Sequence, residues 1–317
     1  MKRQKKGITQ QQLRQLCVLT AVAAGLLAIW RTALTPTAFE QPLPYGIMLG
    51  VTVVLTAVLL TLCALKKPTP ITVGGRAAHV SAAAAALTGA ALLAASAVIA
   101  HEWFTLGIMP YPKKLVISNT DTLLIYLWIF VGLASAAFFL LLAVNWWCAG
   151  VCRRRFMPLL ALAPVVWSWV RLIRYITSHV SSLGLFRNMY DLGMIVFEML
   201  FFVALARYVG GVAEKPTRFF IGLSLCTGLL CTIGAVTQVS LFLKQDLAAF
   251  ETCALVMAPD FGVAALAFVT AFAQGYGIPC EDDATQVEKP QGMENDGTGA
   301  EYLISDEWFM VPNSEDD

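Results

Sequence analysis

Five ionisable side chains lie inside long apolar stretches of this sequence. Arg171 and Arg174 come first, Asp191 and Glu198 follow within one further helix, and Asp260 lies later in the chain. A charge in a lipid-crossing helix is costly, so such residues usually face the protein interior, pair with one another and mark a pathway or a site. Paired arginines also suit an anionic or zwitterionic ligand.

The spacing of the first four charges allows them to meet. The two arginines are three residues apart and the two acids are seven apart, so each pair lies on one face of a helix. If the two helices are antiparallel and joined near Ser182, Arg174 and Asp191 lie nearly level. Arg171 and Glu198 then differ in height by roughly 7 Å, within reach of an extended guanidinium. We therefore predict a buried ion pair between Arg171 and Glu198.

Each of these residues has a simpler alternative. Arg174 could extend to the external head groups. Asp191 could cap a helix start, because it follows Asn188 by three residues. The Arg171–Glu198 pair could be purely structural, and Asp260 could be a hydrogen-bonded residue at a kink caused by the preceding proline.

The deep polar groups of four consecutive apolar stretches fall in their outer halves, which predicts a polar pocket open to the outside. Six residues are expected to line it and to bind a ligand: Arg171, Arg174, Glu198, Asp260, Trp167 and Trp169.

The elements that carry these residues are membrane-spanning helices. The chain has 317 residues, 58% hydrophobic and 14% charged, whereas a soluble domain has about 25% charged residues. A membrane helix needs about 20 apolar residues. We predict an all-α, polytopic integral membrane bundle of eight transmembrane helices, at Leu13–Leu34, Tyr45–Leu65, Ala77–Ala100, Thr122–Val144, Met157–Ile176, Met189–Tyr208, Phe219–Phe242 and Cys253–Gln274.

The fifth stretch is the weakest because it contains both arginines, and dropping it would leave seven spans. Lys and Arg concentrate in cytoplasmic loops, and eight spans place every dense basic cluster on one side. We therefore expect a multi-pass cell-membrane protein, typical in composition of bacterial inner-membrane proteins, with both termini cytoplasmic. The third stretch is rich in alanine, and small residues allow close packing in lipid, so this helix is expected to be central.

Charge divides the chain into a transmembrane domain, 1–280, and an acidic tail, 281–317. The tail has 12 acidic residues and one lysine, and the remainder has 21 basic and nine acidic residues. Such a tail is expected to be disordered and cytoplasmic. Its apolar patch, Tyr302–Val311, could bind a cytoplasmic protein or the protein's own basic face, or it could simply be solvated.

Other chemistry is not indicated. The sequence has no HExxH, GxSxG or P-loop motif, so we predict neither an enzyme nor a cofactor. Cys148 and Cys152 have no neighbouring metal ligands and are read as small apolar residues rather than a metal site. Nucleic acid is not an expected partner, whereas the lipid bilayer is.

Spans four and eight align at an offset of 130 residues, with Gly132 matching Gly262. This similarity raises the possibility of a four-plus-four duplication.

The leading functional hypothesis is a carrier or small-ligand-binding membrane protein with this outward-facing pocket. The alternative is a membrane scaffold or signalling protein that recruits a cytoplasmic partner through its acidic tail. A membrane-embedded enzyme using Glu198 or Asp260 as acid or base is a distant third.

Overall fold

The computed structural model describes ten segments of the chain: 10–34, 42–65, 76–106, 108–110, 113–115, 119–148, 157–179, 185–209, 218–244 and 247–275. The chain divides into two units, Met1–Pro279 and Cys280–Asp317. The predicted acidic tail and its patch Tyr302–Val311 lie outside the described residues.

The described part of the first unit is helical apart from one small hairpin. Strands β1 (Ile108–Pro110) and β2 (Lys113–Leu115) pair antiparallel, just after a π-helical turn at Glu102–Leu106. In lipid, helices satisfy all their backbone hydrogen bonds internally, which is why long apolar runs adopt this form. The helices are α1 Gln10–Leu34, α2 Pro42–Leu65, α3 Arg76–His101, α4 Asn119–Trp147, α5 Met157–Leu160, α6 Ala163–His179, α7 Leu185–Val209, α8 Arg218–Lys244 and α9 Leu247–Gly275.

Seven spans in the described residues are long and apolar enough to cross a membrane. The prediction of an all-α membrane protein is therefore confirmed, and apolar side chains exposed on the bundle surface are placed to contact lipid. The fifth span, Met157–Ile176, is one of the seven, so removing it from the count was the wrong alternative. In α9 the apolar stretch is shorter, Ala258–Phe272.

The fifth span is broken into α5 and α6. Pro164 has no N–H to donate to the carbonyl four residues earlier, so the helical ladder is interrupted there. Two residues, Ala161 and Leu162, form the turn, and backbone bonds from Ala161 to Met157 and from Val166 to Leu162 link the two pieces.

Helix α8 is the centre of the bundle. It contacts α1, α2, α7 and α9, and 83% of its membrane-crossing stretch is buried, against 28–50% in the other six. The expectation that the third span would be central was wrong. Helix α8 is lined with Ser224, Thr227, Cys226 and Cys231, all fully buried, and such small side chains let several neighbours approach.

Helix α3 packs closely between α4 and α9 instead. A Cβ added to Gly262 of α9 would lie 2.7 Å from the Cα of Thr88 on α3, and one added to Gly89 of α3 would lie 3.1 Å from the carbonyl oxygen of Ala136 on α4. A four-plus-four duplication would place Gly262 against α8, as Gly132 lies against α3. The contact between Gly262 and α3 is not the one that a duplication predicts, whereas the extensive packing of α9 on α8, like that of α4 on α3, is.

Helix α2 has the least buried membrane-crossing stretch, at 28%. Its main contacts are with α8 and, less extensively, with α1. One of them is a hydrogen bond from the Cys226 thiol of α8 to the backbone carbonyl of Thr56, at 3.6 Å.

Candidate functional site

Helix α6 presents one polar stripe to the bundle interior and is the most amphipathic of the long helices. Trp167, Arg171 and Arg174 recur at intervals of four and three residues, so they share a face. Trp167 is 3% exposed and Arg174 5% exposed, whereas Trp169 is 51% exposed on the opposite face. The prediction that Trp169 lines the site was wrong, because residues two apart on a helix point in opposite directions.

Arg171 joins two buried carboxylates from two other helices. Its Nη1 donates to Glu198 Oε2 of α7 at 3.1 Å. Its Nη1 and Nη2 also donate to Asp260 Oδ1 and Oδ2 of α9, at 2.5 Å and 2.7 Å. The predicted Arg171–Glu198 pair is confirmed. We call these three residues the Arg171 cluster.

The interaction with Asp260 is bidentate, the strongest geometry for a guanidinium and a carboxylate. Asp260 follows Pro259, which lies inside α9 and removes one backbone donor from the helix. The ring of Trp167 lies 5.4 Å from the guanidinium carbon of Arg171 and covers it from within α6.

The Arg171 cluster is closed to the surroundings. Glu198 is 0% exposed and Asp260 1% exposed, and the Arg171 side chain is 12% exposed. The sequence predicted that these residues would line a pocket open to the outside. In this structure the bundle encloses the two carboxylates, and both already accept hydrogen bonds from the arginine.

A second ion pair lies two turns away along the same face of α7. Arg31 of α1 donates to Asp191 Oδ1 of α7 at 2.7 Å, and the Arg31 guanidinium carbon lies 3.9 Å from the centre of the Tyr190 ring. The Tyr175 hydroxyl of α6 donates to Asp191 Oδ2 at 3.4 Å. Because α7 begins at Leu185, Asp191 lies beyond its first turn, so the helix-cap alternative does not hold.

Arg31 is the buried ion-pairing residue that the charge pattern missed. It lies near the end of an apolar stretch, where an arginine usually reaches the head groups, yet it is only 3% exposed. Arg31 lies near the C-terminal end of α1 and Asp191 near the N-terminal end of α7, but the two residues are 160 positions apart in sequence.

Arg174 is also held inside the bundle. Its guanidinium carbon lies 4.0 Å from the ring centre of Trp128 on α4, a cation–π geometry. At 5% exposure the side chain does not extend out of the bundle to the head groups. The structure therefore places Arg174 beside an aromatic ring of α4, away from the bonds of the Arg171 cluster.

A cavity of about 240 Å³ lies elsewhere, between α2, α7 and α8. Its polar lining groups are already satisfied: the Thr52 and Thr56 hydroxyls donate to backbone carbonyls of their own helix, and the Tyr190 hydroxyl donates to the Leu230 carbonyl. The cavity is thus apolar in character, and none of the six predicted ligand-binding residues lines it.

Within the described segments, no group of three or more His, Cys, Asp or Glu side chains is arranged to hold a metal ion. The chain has no significant similarity to any family model, curated protein or solved structure. The geometry of the Arg171 cluster therefore carries the functional argument.

Proposed function

We propose that this protein is a carrier or small-ligand-binding membrane protein whose site is the Arg171 cluster. The observation that supports this most is a single arginine shared by carboxylates from two different helices. One acid is enough to neutralise one guanidinium, so a simple ion pair does not require the second acid. The second acid keeps the guanidinium at the meeting point of α6, α7 and α9.

The membrane arrangement that accompanies this proposal has eight spans, both termini in the cytoplasm and the cell membrane as its location. In α9 the strongly apolar stretch is Ala258–Phe272, about 22 Å at 1.5 Å per residue, which is shorter than a hydrocarbon core of about 30 Å, so the eighth span rests on the loop charges. The distribution of Lys and Arg among the loops supports the orientation.

The ligand in this proposal is a small anion or zwitterion. Its carboxylate or phosphate would compete with Asp260 for the fork of the Arg171 guanidinium, because both offer two oxygens at the same spacing. Opening would separate α6 from α9. Carrier sites are often built from interrupted helices, and the two helices that meet here have Pro164 at the start of α6 and Pro259 inside α9.

The test is ligand-induced stabilisation of the full chain in detergent. The probes are a panel of carboxylates, amino acids and inorganic phosphate, each added singly. A ligand at 100 times its Kd stabilises the folded state by about 2.7 kcal/mol, which raises Tm by about 5–10 °C at a sensitivity of 2–4 °C per kcal/mol.

The control is a triple variant, Arg171→Met with Glu198→Gln and Asp260→Asn, which removes the charges and keeps the side-chain volumes. A probe that stabilises the wild type and leaves this variant unchanged supports the proposal. If every probe shifts both proteins equally, or shifts neither, the proposed site is wrong.

The alternative function is a scaffold or signalling protein, in which the Arg171 cluster only fixes helix positions. The complete burial of Glu198 and Asp260 favours this alternative. Deleting residues 281–317 discriminates between the two, because a carrier keeps its ligand response without the acidic tail and a scaffold loses its partner.

A further inference from the structure

One carboxylate oxygen in the bundle interior has no hydrogen-bond donor among the described residues. Glu198 Oε1 is buried and accepts no hydrogen bond, while Oε2 accepts a single bond from Arg171. An ionised carboxylate normally accepts bonds at both oxygens, and a buried charged oxygen without a donor is strongly disfavoured. Asp260 differs, because both of its oxygens accept from Arg171.

The charges of the Arg171 cluster do not balance. One guanidinium faces two carboxylates, which gives a net charge of −1 if both acids are ionised. The other buried cation of α6, Arg174, lies with its guanidinium carbon 4.0 Å from the centre of the Trp128 ring of α4. Cys231 of α8 lies within electrostatic range but carries no positive charge, and the Arg31–Asp191 pair, seven residues or about 10 Å away along α7, is neutral in itself.

We infer that Glu198 holds an exchangeable proton on Oε1, and that the site of this protein therefore binds a proton together with its ligand. The proton converts the carboxylate into a carboxylic acid, brings the Arg171 cluster to zero net charge and replaces a donorless charged oxygen with a neutral hydroxyl. Asp260 remains ionised because its bidentate pair with Arg171 would be lost on protonation. A metal cation is disfavoured at the same position, since the Arg171 guanidinium already lies between the two acids.

The coupling to a ligand rests on the proposed carrier function. An anionic ligand on Arg171 adds one negative charge to the same buried cluster, so its binding favours retention of the proton on Glu198. With the ligand bound, the cluster has a net charge of −1 while Glu198 is protonated and −2 once the proton is lost, so the ligand raises the cost of losing the proton. Ligand and proton would then cross the membrane in the same direction.

The test is infrared spectroscopy of the full chain in lipid vesicles at neutral pH. A protonated carboxylic acid has a carbonyl stretching band separate from that of a carboxylate. We expect this band in the wild type, its loss in Glu198→Gln, and its retention in Asp191→Asn. In Asp260→Asn the band should weaken, because one guanidinium then faces one acid and Glu198 can ionise without leaving a net charge. Glu198→Gln mimics the neutral acid in shape and charge, so it is expected to fold with an unchanged Tm.

Two results overturn the inference. One is identical carbonyl regions in the wild type and Glu198→Gln. The other is a rise in Tm with sodium chloride over choline chloride that occurs in the wild type and is absent in Glu198→Gln, which assigns the compensating charge to a metal cation.

The two proposals fail separately. If the Glu198-dependent band is present but no probe stabilises the protein, the inference of a bound proton holds and the carrier proposal is wrong. If a probe stabilises the protein but the band is absent, the carrier proposal holds and the inference of a bound proton is wrong.

Discussion

Replacing Arg171 with methionine should cost far more stability than replacing either acid that it binds. The change removes all three hydrogen bonds of the Arg171 cluster and leaves the ionised Asp260 buried without a cation. Removing one partner of a buried ion pair costs about 3–5 kcal/mol. At 2–4 °C per kcal/mol this lowers Tm by about 6–20 °C.

The two acid variants should each lose less stability than Arg171→Met, and in a defined order. Asp260→Asn weakens a bidentate charged interaction and should cost about 1.5–3 kcal/mol. Glu198→Gln leaves one arginine with one acid, keeps an oxygen for Arg171 and should change the stability by less than about 1 kcal/mol. The uncharged triple variant should recover most of the loss, because a buried ion pair adds little net stability over neutral groups of similar volume.

Thermal unfolding of the purified full chain in detergent, followed by circular dichroism, measures this order. The reasoning is refuted if Arg171→Met loses no more stability than Glu198→Gln. It is also refuted if the triple variant is as unstable as Arg171→Met alone, since the penalty would then come from lost packing and not from uncompensated charge.

Three further predictions concern the rest of the bundle. Arg31→Met and Asp191→Asn should each lower stability, and a double-mutant cycle should give a coupling energy of about 0.5–3 kcal/mol; a coupling of zero would contradict the ion pair. Gly262→Ala should destabilise by about 1–3 kcal/mol, because the added methyl meets the backbone of α3. Gly193→Ala, where a Cβ meets nothing within 4 Å, is its matched control and should be neutral or slightly stabilising; equal losses in unfolding experiments would exclude the close approach. Deleting residues 281–317 should leave Tm of the remaining chain unchanged in the same assay, and a drop of several degrees would show that the tail contributes to the membrane bundle.

The fold was largely readable because lipid imposes a simple rule on the backbone. Apolar runs of about 20 residues can only be helices there, and seven of the eight expected spans meet the requirement. The arrangement of the helices around the centre of the bundle could not be predicted from the sequence in the same way. The alanines of α3 predicted close packing, which occurs, but the position of α8 at the centre depends on which four neighbours fit its small side chains.

The site was predictable where two helices are joined by a short connection. The heights of Arg171 and Glu198 follow from counting residues on either side of that connection, and the depth of Asp260 placed it at the same level. Arg31 could not be assigned by this counting, since its partner on α7 is 160 residues away. Trp169 was assigned to the site because it is close in sequence to Arg171. The helical period places it on the opposite face, which should have excluded it from the site.

The ion pairs of this protein also set the order in which it can assemble during synthesis. Arg31 enters the membrane 160 residues before Asp191 exists, and Arg171 enters 89 residues before Asp260. At 5–20 residues per second, synthesis of the intervening residues takes about 8–32 s for Arg31 and about 4–18 s for Arg171. The central helix α8 is likewise the second to last to emerge, so α1 and α2 lack their main binding surface until late in translation. A chain that stops before α9 would retain an arginine and a glutamate without the third member of the cluster, and the nascent protein would depend on its last helix to complete the site made by its earlier ones.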